Sequence, residues 1–127
     1  MIATKCPCCS LITFSLCCEP IIFGNTKAAT ALALMRSRYT AYGLHQANYL
    51  LDTTYRSERK NYSKTEILNW AKSSTWLQLE IIDFSDNTVE FKAHFLDVHK
   101  QKQVHHELST FIFEDGNWCY FSGVFFS

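Results

Sequence analysis

Four cysteines near the start of the chain have the residue type and spacing of a metal site. A Cys-Pro-Cys turn is followed, after eight intervening residues, by a cysteine pair: Cys6, Cys8, Cys17 and Cys18. Four thiolates suffice to hold Zn²⁺ in a tetrahedron with Zn–S distances of about 2.3 Å. Because four protein ligands leave no position for water, the spacing predicts a structural zinc site rather than a catalytic one.

Other interpretations of these cysteines stay open at the level of sequence. The thiols could be reduced and metal-free, or one pair could form a disulfide. A vicinal disulfide between Cys17 and Cys18 would be strained. Cys9 is a fifth thiol beside the cluster and could be an alternative ligand or a reactive cysteine. In a reducing compartment, clustered cysteines are more often metal ligands or redox thiols than disulfides.

The apolar stretch at residues 11–23 bears on whether the protein is secreted or stays in the cytoplasm. Glu19 and Pro20 interrupt this stretch, and no small-residue cleavage site follows it, so it lacks the pattern of a secretory signal. No run reaches the roughly 18 apolar residues of a membrane span. We therefore expect a cytoplasmic protein with no membrane partner.

Charge and composition narrow the possible partners. The chain of 127 residues has the length of one domain. Aromatic residues make up 15% of it, and its formal net charge is zero. This neutral balance argues against a nucleic-acid partner, since such proteins usually carry a basic excess. One local basic and aromatic patch remains as a distant possibility: Tyr55, Arg56, Arg59, Lys60 and Tyr62.

The elements that must position these groups follow from hydrophobic periodicity. Three- and four-residue steps predict a helix over residues 26–43, and a second short helix fits residues 45–55. Residues 56–61 are polar and are expected to form a loop. A capping-box spacing from Ser63 to Glu66 predicts a third helix over residues 64–72.

The rest of the chain alternates with period two, which is typical of strands with one buried face. The alternation predicts four strands at 77–81, 89–95, 104–113 and 118–125, with a hairpin turn at Asp115-Gly116. Helices followed by an antiparallel meander indicate an α+β fold. We expect a Cys-rich zinc-binding head at residues 1–25 and, at 26–127, three helices packed on a curved four-stranded antiparallel sheet.

The head resembles the SEC-C motif, which usually reads C-P-C-G-S-G, five further residues, then C-C or C-H. All its cysteine spacings match. The resemblance implies that Cys6, Cys8, Cys17 and Cys18 are the zinc ligands. The two motif glycines are replaced by Cys9 and Leu11, and the usual lysine-rich loop is apolar here. The second departure puts in question the chaperone-binding surface associated with the motif elsewhere.

The body resembles the YchJ-like family of uncharacterised bacterial proteins. Residues 33–42 are similar to the family's L-M-R-S-R-Y-x-A-Y/F stretch, 107–111 match its E-x-S-x-F, and 117–123 are similar to its W-Y-Y-x-D-G ending. The resemblance implies a domain like nuclear transport factor 2, a cystatin-like cone of helices against a curved sheet. It implies no particular activity.

Candidate pocket residues lie on the first long helix and the third strand. Glu107 and Ser109 share one strand face, and a buried carboxylate without a partner is costly. We expect Arg38 to pair with Glu107, because a guanidinium fork suits a carboxylate. This pair is either a buried ion pair that fixes helix to sheet or, with Tyr42 and Ser109, the polar floor of a pocket.

His105 and His106 point to opposite faces of a strand, so they cannot form one compact site. No common catalytic motif is present, and enzymatic activity is the less favoured outcome. The sequence indicates no oligomeric state.

Two functions from different classes therefore compete. The first is a small zinc-binding protein that docks a protein or peptide or serves as a scaffold. The second is a small-ligand-binding protein or enzyme that uses the cone around Glu107 and Arg38. An open cavity reached by Glu107 would favour the second function. The first would be favoured by a cone filled with aromatic side chains: Phe91, Phe95, Phe111 and Trp118.

Overall fold

Four strands of the second half of the chain form one antiparallel sheet in which strands that follow one another in the chain lie side by side. The computed structural model describes residues 4–24 and 26–126. The helices are α1 (Cys18–Ile22), α2 (Ala31–Gly43), α3 (Ala47–Asp52) and α4 (Lys64–Ser73), with short 3₁₀ helices at Phe14–Leu16 and Arg56–Asn61. The strands are β1 (Thr75–Phe84), β2 (Thr88–Leu96), β3 (Lys102–Glu114) and β4 (Asn117–Phe126). The predicted α+β meander is confirmed.

The strands form where the alternation predicts them. On β2, the residues Val89, Phe91 and Ala93 are buried on one face, and the residues between them are half-buried. The β3–β4 hairpin turns at Asp115 and Gly116, whose φ angles are +54° and +80°. Positive φ at both central residues is the conformation that a two-residue hairpin favours. The predicted turn is therefore in place.

Two helices and one connecting segment differ from expectation, and strand β1 runs from Thr75 to Phe84, longer than the predicted 77–81. Helix α2 begins at Ala31 rather than at residue 26, because the Thr30 side chain accepts a hydrogen bond from the Ala33 amide over 3.0 Å and caps the helix there. Helix α3 is shorter than the predicted 45–55. The segment Arg56–Asn61, expected to be a loop, is a 3₁₀ helix. The predicted cap of α4 is confirmed, since Ser63 accepts from the Glu66 amide.

Helix α2 lies at the centre of the molecule and is buried around most of its circumference. Apolar residues such as Leu34 and Met35 are buried on it, and so are polar ones such as Ser37 and Thr40. The buried residues of the body form one hydrophobic cluster with three cysteines of the head. Helix α2 therefore lies between the head and the sheet. Its buried residues are not confined to one apolar face, as they would be in a helix at the surface.

The division into a head at 1–25 and a body at 26–127 stays a prediction. Asn25, where the two were expected to meet, lies outside the described residues. Within the described ranges, no helix is long and apolar enough to cross a membrane. The cytoplasmic location likewise stays a prediction.

Candidate metal centre and central cavity

The structure brings the four predicted metal ligands together. The Sγ atoms of Cys6, Cys8, Cys17 and Cys18 all lie within 4.8 Å of one another. The separation is 3.6 Å between Cys8 and Cys17 and 3.9 Å between Cys17 and Cys18. A tetrahedron with Zn–S distances of about 2.3 Å has S–S edges of about 3.8 Å. The cluster therefore has the donor type, number and size that zinc requires.

The turn that carries the first two ligands is held by backbone hydrogen bonds, and two residues that follow it have left-handed φ angles. The Cys9 amide donates to the Cys6 carbonyl over 3.2 Å, and the Cys6 amide donates to Ile12 over 2.8 Å. Cys9 and Leu11 have φ angles of +66° and +70°. These are the two positions at which the SEC-C motif has glycine. The backbone thus keeps the glycine conformation although the glycines are gone, at a cost of about 1–2 kcal/mol each.

Cys9 is not part of the cluster. Its side chain is exposed, and its thiol donates to the Pro7 carbonyl over 3.6 Å. Ser10, by contrast, places its hydroxyl 3.2 Å from the Cys17 sulfur. Hydrogen-bonding groups close to the cluster stabilise sulfur in its charged form.

Helix α2 supplies the floor of the metal centre. Thr40 places its hydroxyl 3.7 Å from the Cys6 sulfur, and Arg36 donates to the Cys8 carbonyl over 2.8 Å. A hydrogen bond from the Cys18 thiol lowers the pKa of Cys8 well below its usual range. That pairing, together with burial, raises the pKa of Cys18. Three of the four cysteines are buried, and four sulfur ligands would leave a bound zinc ion no coordination position for water.

A cavity of about 270 Å³ opens between α2, α4 and the sheet. Its walls are mainly aromatic, and polar side chains converge on one side. The four predicted pocket residues all line it: Arg38, Tyr42, Glu107 and Ser109. Largely apolar walls with a few convergent polar groups are the usual features of a small-molecule site.

Glu107 is held in place by three donors. Its Oε2 atom accepts hydrogen bonds from Ser109 over 2.6 Å and from Tyr120 over 2.7 Å, and its Oε1 atom lies 2.7 Å from His105 Nε2. Burial by itself would raise the pKa of Glu107, but the hydrogen bonds from His105, Ser109 and Tyr120 outweigh it and lower the pKa. Glu107 is therefore a fixed carboxylate at neutral pH although it is only 5% exposed.

Gly123 makes room for this arrangement. It lies opposite Ser109 in the β3–β4 ladder. A Cβ atom at Gly123 would stand 2.6 Å from the Glu107 carboxyl carbon and 2.7 Å from the Tyr120 hydroxyl. No side chain fits there while Glu107 and Tyr120 keep their positions.

The predicted ion pair between Arg38 and Glu107 is wrong. Arg38 Nη1 donates to the Leu50 carbonyl over 2.8 Å and to the Thr53 hydroxyl over 2.7 Å. Its guanidinium lies over the Tyr120 ring, 4.8 Å from the centroid. The reason is local: Glu107 takes its donors from its own strand and from β4, whereas the end of helix α3 offers Arg38 acceptors.

Sequence reasoning missed His105 and Tyr120 as partners of Glu107. His105 carried a usable signal, because residues two apart on a strand share a face. His106 faces the other way and pairs with Glu90, but this leaves His105 free to meet Glu107 on its own face. Tyr120 carried no such signal, since its contact depends on the β3–β4 register.

The aromatic side chains expected to fill the cone fill it only in part. Phe91 is buried and lines the cavity, and Phe111 is buried in the core. Phe95 packs edge-on against Trp70 at a centroid distance of 6.0 Å. Trp118 lines a different space, a groove of about 510 Å³ beside the head. The cavity around Glu107 therefore stays open.

The basic patch at residues 55–62 is largely paired within the protein. Arg56 forms a salt bridge of 3.1 Å with Glu114, and Arg59 donates to the carbonyls of Thr54 and Asp52. These contacts hold Arg56 and Arg59 against their own chain, and the expectation that no nucleic acid binds there stays a prediction.

The fold and the site define the class of this protein. It combines an N-terminal SEC-C-type cysteine cluster with a domain like nuclear transport factor 2, in which helices surround a cavity on a four-stranded antiparallel sheet. Residues 30–123 match the family model described as "YchJ, middle NTF2-like domain". The chain belongs to this YchJ (UPF0225) family.

Two relatives illustrate the match. A UPF0225 protein of Geobacter sulfurreducens is 38% identical over 125 residues, which cover 93% of this chain and 77% of the relative. The UPF0225 protein YchJ of Shigella dysenteriae serotype 1 is 34% identical over 125 residues, covering 94% and 82%.

Two solved structures share the fold. The solution structure of a SEC-C motif containing protein from Rhodopseudomonas palustris is similar with a TM-score of 0.88 at 33% identity, covering 98% of this chain and 100% of that one. The crystal structure of a SEC-C motif containing protein from Psychrobacter arcticus gives 0.80 at 31% identity, covering 94% and 81%.

Proposed function

We propose that this protein binds a small organic molecule in the cavity between α2, α4 and the sheet, and that a structural zinc ion holds its cysteine head. The observation that carries the first part is that Glu107 and Arg38 reach an open cavity rather than a filled cone. The second part rests on the four converging sulfur atoms.

The cavity suits a molecule of modest size. Its volume of about 270 Å³ lies near the lower end of ligand pockets, which is about 300 Å³. Trp70 and Trp76 stand at 80° to each other with centroids 5.1 Å apart and form one wall. A planar ring can pack against such a wall, while the polar groups around Glu107 orient its substituent.

The competing hypothesis, a scaffold that docks a protein or peptide, stays a prediction. One feature indicates where a partner would make contact. The loop that is lysine-rich in other SEC-C motifs exposes apolar side chains here, with Leu11 73% and Leu16 78% exposed. A partner that recognised this loop would use apolar contacts rather than charge.

A zinc ion would link the two segments of the head that carry the four cysteines. Cys6 and Cys8 lie on the turn between Lys5 and Thr13, and Cys17 and Cys18 lie at the start of α1. One ion would join two segments that are too short to bury a core of their own, and metal binding would supply folding free energy. Native mass spectrometry should find one zinc ion per chain, which Cys8→Ser removes and the matched variant Cys9→Ser retains. Metal-free native protein with an ordered head would contradict this.

The cavity is tested with indole, a planar uncharged probe. Titration followed by two-dimensional NMR should shift the indole N–H signals of Trp70 and Trp76. Ala93 is buried and lines the cavity, so Ala93→Leu should fill it and abolish binding. The matched variant Ala28→Leu adds the same volume beside the other groove and should leave binding intact. Indole binding that survives Ala93→Leu would contradict the proposed function, and so would failure of indole and of the aromatic probes described below to bind at all.

A further inference from the structure

Arg38 carries a buried positive charge that no carboxylate in the described residues neutralises. The residue is 8% exposed. Its Nη1 atom has two hydrogens, and these are taken by the Leu50 carbonyl and the Thr53 hydroxyl. Within residues 4–24 and 26–126, its Nε and Nη2 atoms have no acceptor. An uncompensated buried charge is costly, so an acceptor at this edge would stabilise the site.

The free edge of Arg38 opens to the cavity. In the described part of the chain, no side-chain nitrogen or oxygen is fully buried without a hydrogen-bond partner. The unpaired Nε and Nη2 atoms are therefore accessible, and the open space that Arg38 lines is this cavity. The Nε–Nη2 edge presents two parallel N–H donors, the geometry that binds a carboxylate through both of its oxygens.

Glu107 does not fill this role. Its two oxygens already accept from Ser109, Tyr120 and His105. Tyr120 also separates the two charges, since the guanidinium lies over its ring and Glu107 binds its hydroxyl. The charge of Glu107 is thus held on the sheet, and the Nε–Nη2 edge of Arg38 is left for a ligand.

The other residues that line the cavity limit the charge and the shape of that ligand. Two carboxylates, Glu107 and the exposed Glu66, also line the cavity, so a doubly charged phosphate is disfavoured against a singly charged group. The wall formed by Tyr42, Trp70 and Trp76 favours a planar apolar body. The volume of about 270 Å³ lies near the lower end of ligand pockets and favours a small ligand.

We propose that the cavity binds a small aromatic monocarboxylate, with its carboxylate on the Nε–Nη2 edge of Arg38 and its ring against Trp70 and Trp76. This inference rests on the proposed function of the cavity. It adds a ligand class and names Arg38 as the residue that selects it.

The test compares three probes of one shape on the zinc-loaded full chain: phenylacetate, phenylacetamide and 2-phenylethylamine. Calorimetric titration should show phenylacetate binding about ten-fold tighter than the neutral amide, and the amine binding more weakly still. Arg38→Lys keeps the charge but loses the planar fork, so it should reduce the preference for the acid to less than about three-fold. Arg56→Lys, outside the cavity, should leave the preference unchanged.

The probe ranking on the unaltered protein decides the question even if Arg38→Lys does not fold. Equal or tighter binding of the amide or the amine would overturn the inference, and so would binding of indole alone. Either result would leave the cavity as a binding site. If neither indole nor any of the three probes binds at about 10 mM, both the inference and the proposed function fail. An acid preference that persists in folded Arg38→Lys would overturn the role of Arg38.

Discussion

Arg36 donates a hydrogen bond from Nη1 to the carbonyl of Cys8 over 2.8 Å and so fastens helix α2 to the cysteine head. Two residues later on the same helix, Arg38 lines the central cavity. Two residues turn an α-helix by about 200°, so the two arginines leave it on opposite sides. Helix α2 is thus the wall that the metal centre and the cavity share.

Replacing Arg36 should loosen the metal centre without disturbing the cavity. Arg36→Gln removes the hydrogen bond to Cys8, which is worth about 1 kcal/mol, so we expect zinc to pass to a chelator about five-fold faster. The release rate can be followed with a coloured chelator. Arg56→Gln removes the same charge from an exposed position and should change nothing. Equal release rates for both variants would show that Arg36 does not support the head.

Glycine at position 11 should stabilise the protein. Leu11 has a φ of +70° and a side chain that is 73% exposed, so Leu11→Gly relieves backbone strain and loses little burial. We expect a gain of about 0.5–1 kcal/mol in the free energy of unfolding, measured by urea denaturation with zinc bound. Leu16 is similarly exposed, but its φ is not positive. Leu16→Gly should therefore destabilise, and a loss of stability in both variants would refute the strain argument.

A methyl group at position 123 should displace Glu107. Gly123→Ala forces the new Cβ atom against the Glu107 carboxyl group and the Tyr120 hydroxyl. We expect a loss of about 1–3 kcal/mol in unfolding free energy, together with weaker ligand binding. Gly43 is the comparison, because a Cβ there meets only Trp76, at 4.0 Å. Gly43→Ala should be neutral or stabilising, and equal effects of the two substitutions would contradict the packing around Glu107.

The stabilisation from Glu107 should be lost in acid. Its pKa is lowered in the folded protein because, although burial opposes ionisation, its three hydrogen bonds favour it. A lowered pKa means that the stabilisation is fully present above the unfolded value of about 4.3 and disappears as the pH falls through the folded value. The free-energy difference between wild type and Glu107→Gln should therefore be about 1–3 kcal/mol near pH 6 and should shrink toward pH 3.

Both proteins have the same cysteines, so acid loss of zinc cancels in this difference. Denaturation of the two proteins at several pH values gives the measurement. A difference that is constant with pH would mean that folding does not lower the pKa of Glu107, and a difference that grows toward low pH would mean that Glu107 is protonated in the folded state.

The elements of the body could be predicted because their signals are local. The alternation on β2 and the Asp115-Gly116 turn each depend on a few neighbouring residues, and so does the Ser63 cap. The apolar steps continue upstream of Ala31 and so predict too early a start for α2, which the Thr30 cap places at Ala31. The metal ligands could be predicted for the same reason, since a short motif fixes their spacing.

The pairing inside the cavity could not be predicted in the same way. Arg38 and Glu107 both reach the cavity, as the sequence suggested, but their partners depend on register and on neighbouring elements. Tyr120 reaches Glu107 only because Gly123 leaves space in the β3–β4 ladder. Arg38 finds its acceptors at the end of α3, a helix of six residues whose weak pattern did not fix its end.

The most direct test of the central claim is a crystal structure of the zinc-loaded protein grown with indole. The account predicts electron density for one indole molecule in the cavity, packed against Trp70 and Trp76, with the positions of Arg38 and Glu107 retained. Density only in the groove beside Trp118, or a cone closed by its own aromatic side chains, would contradict it.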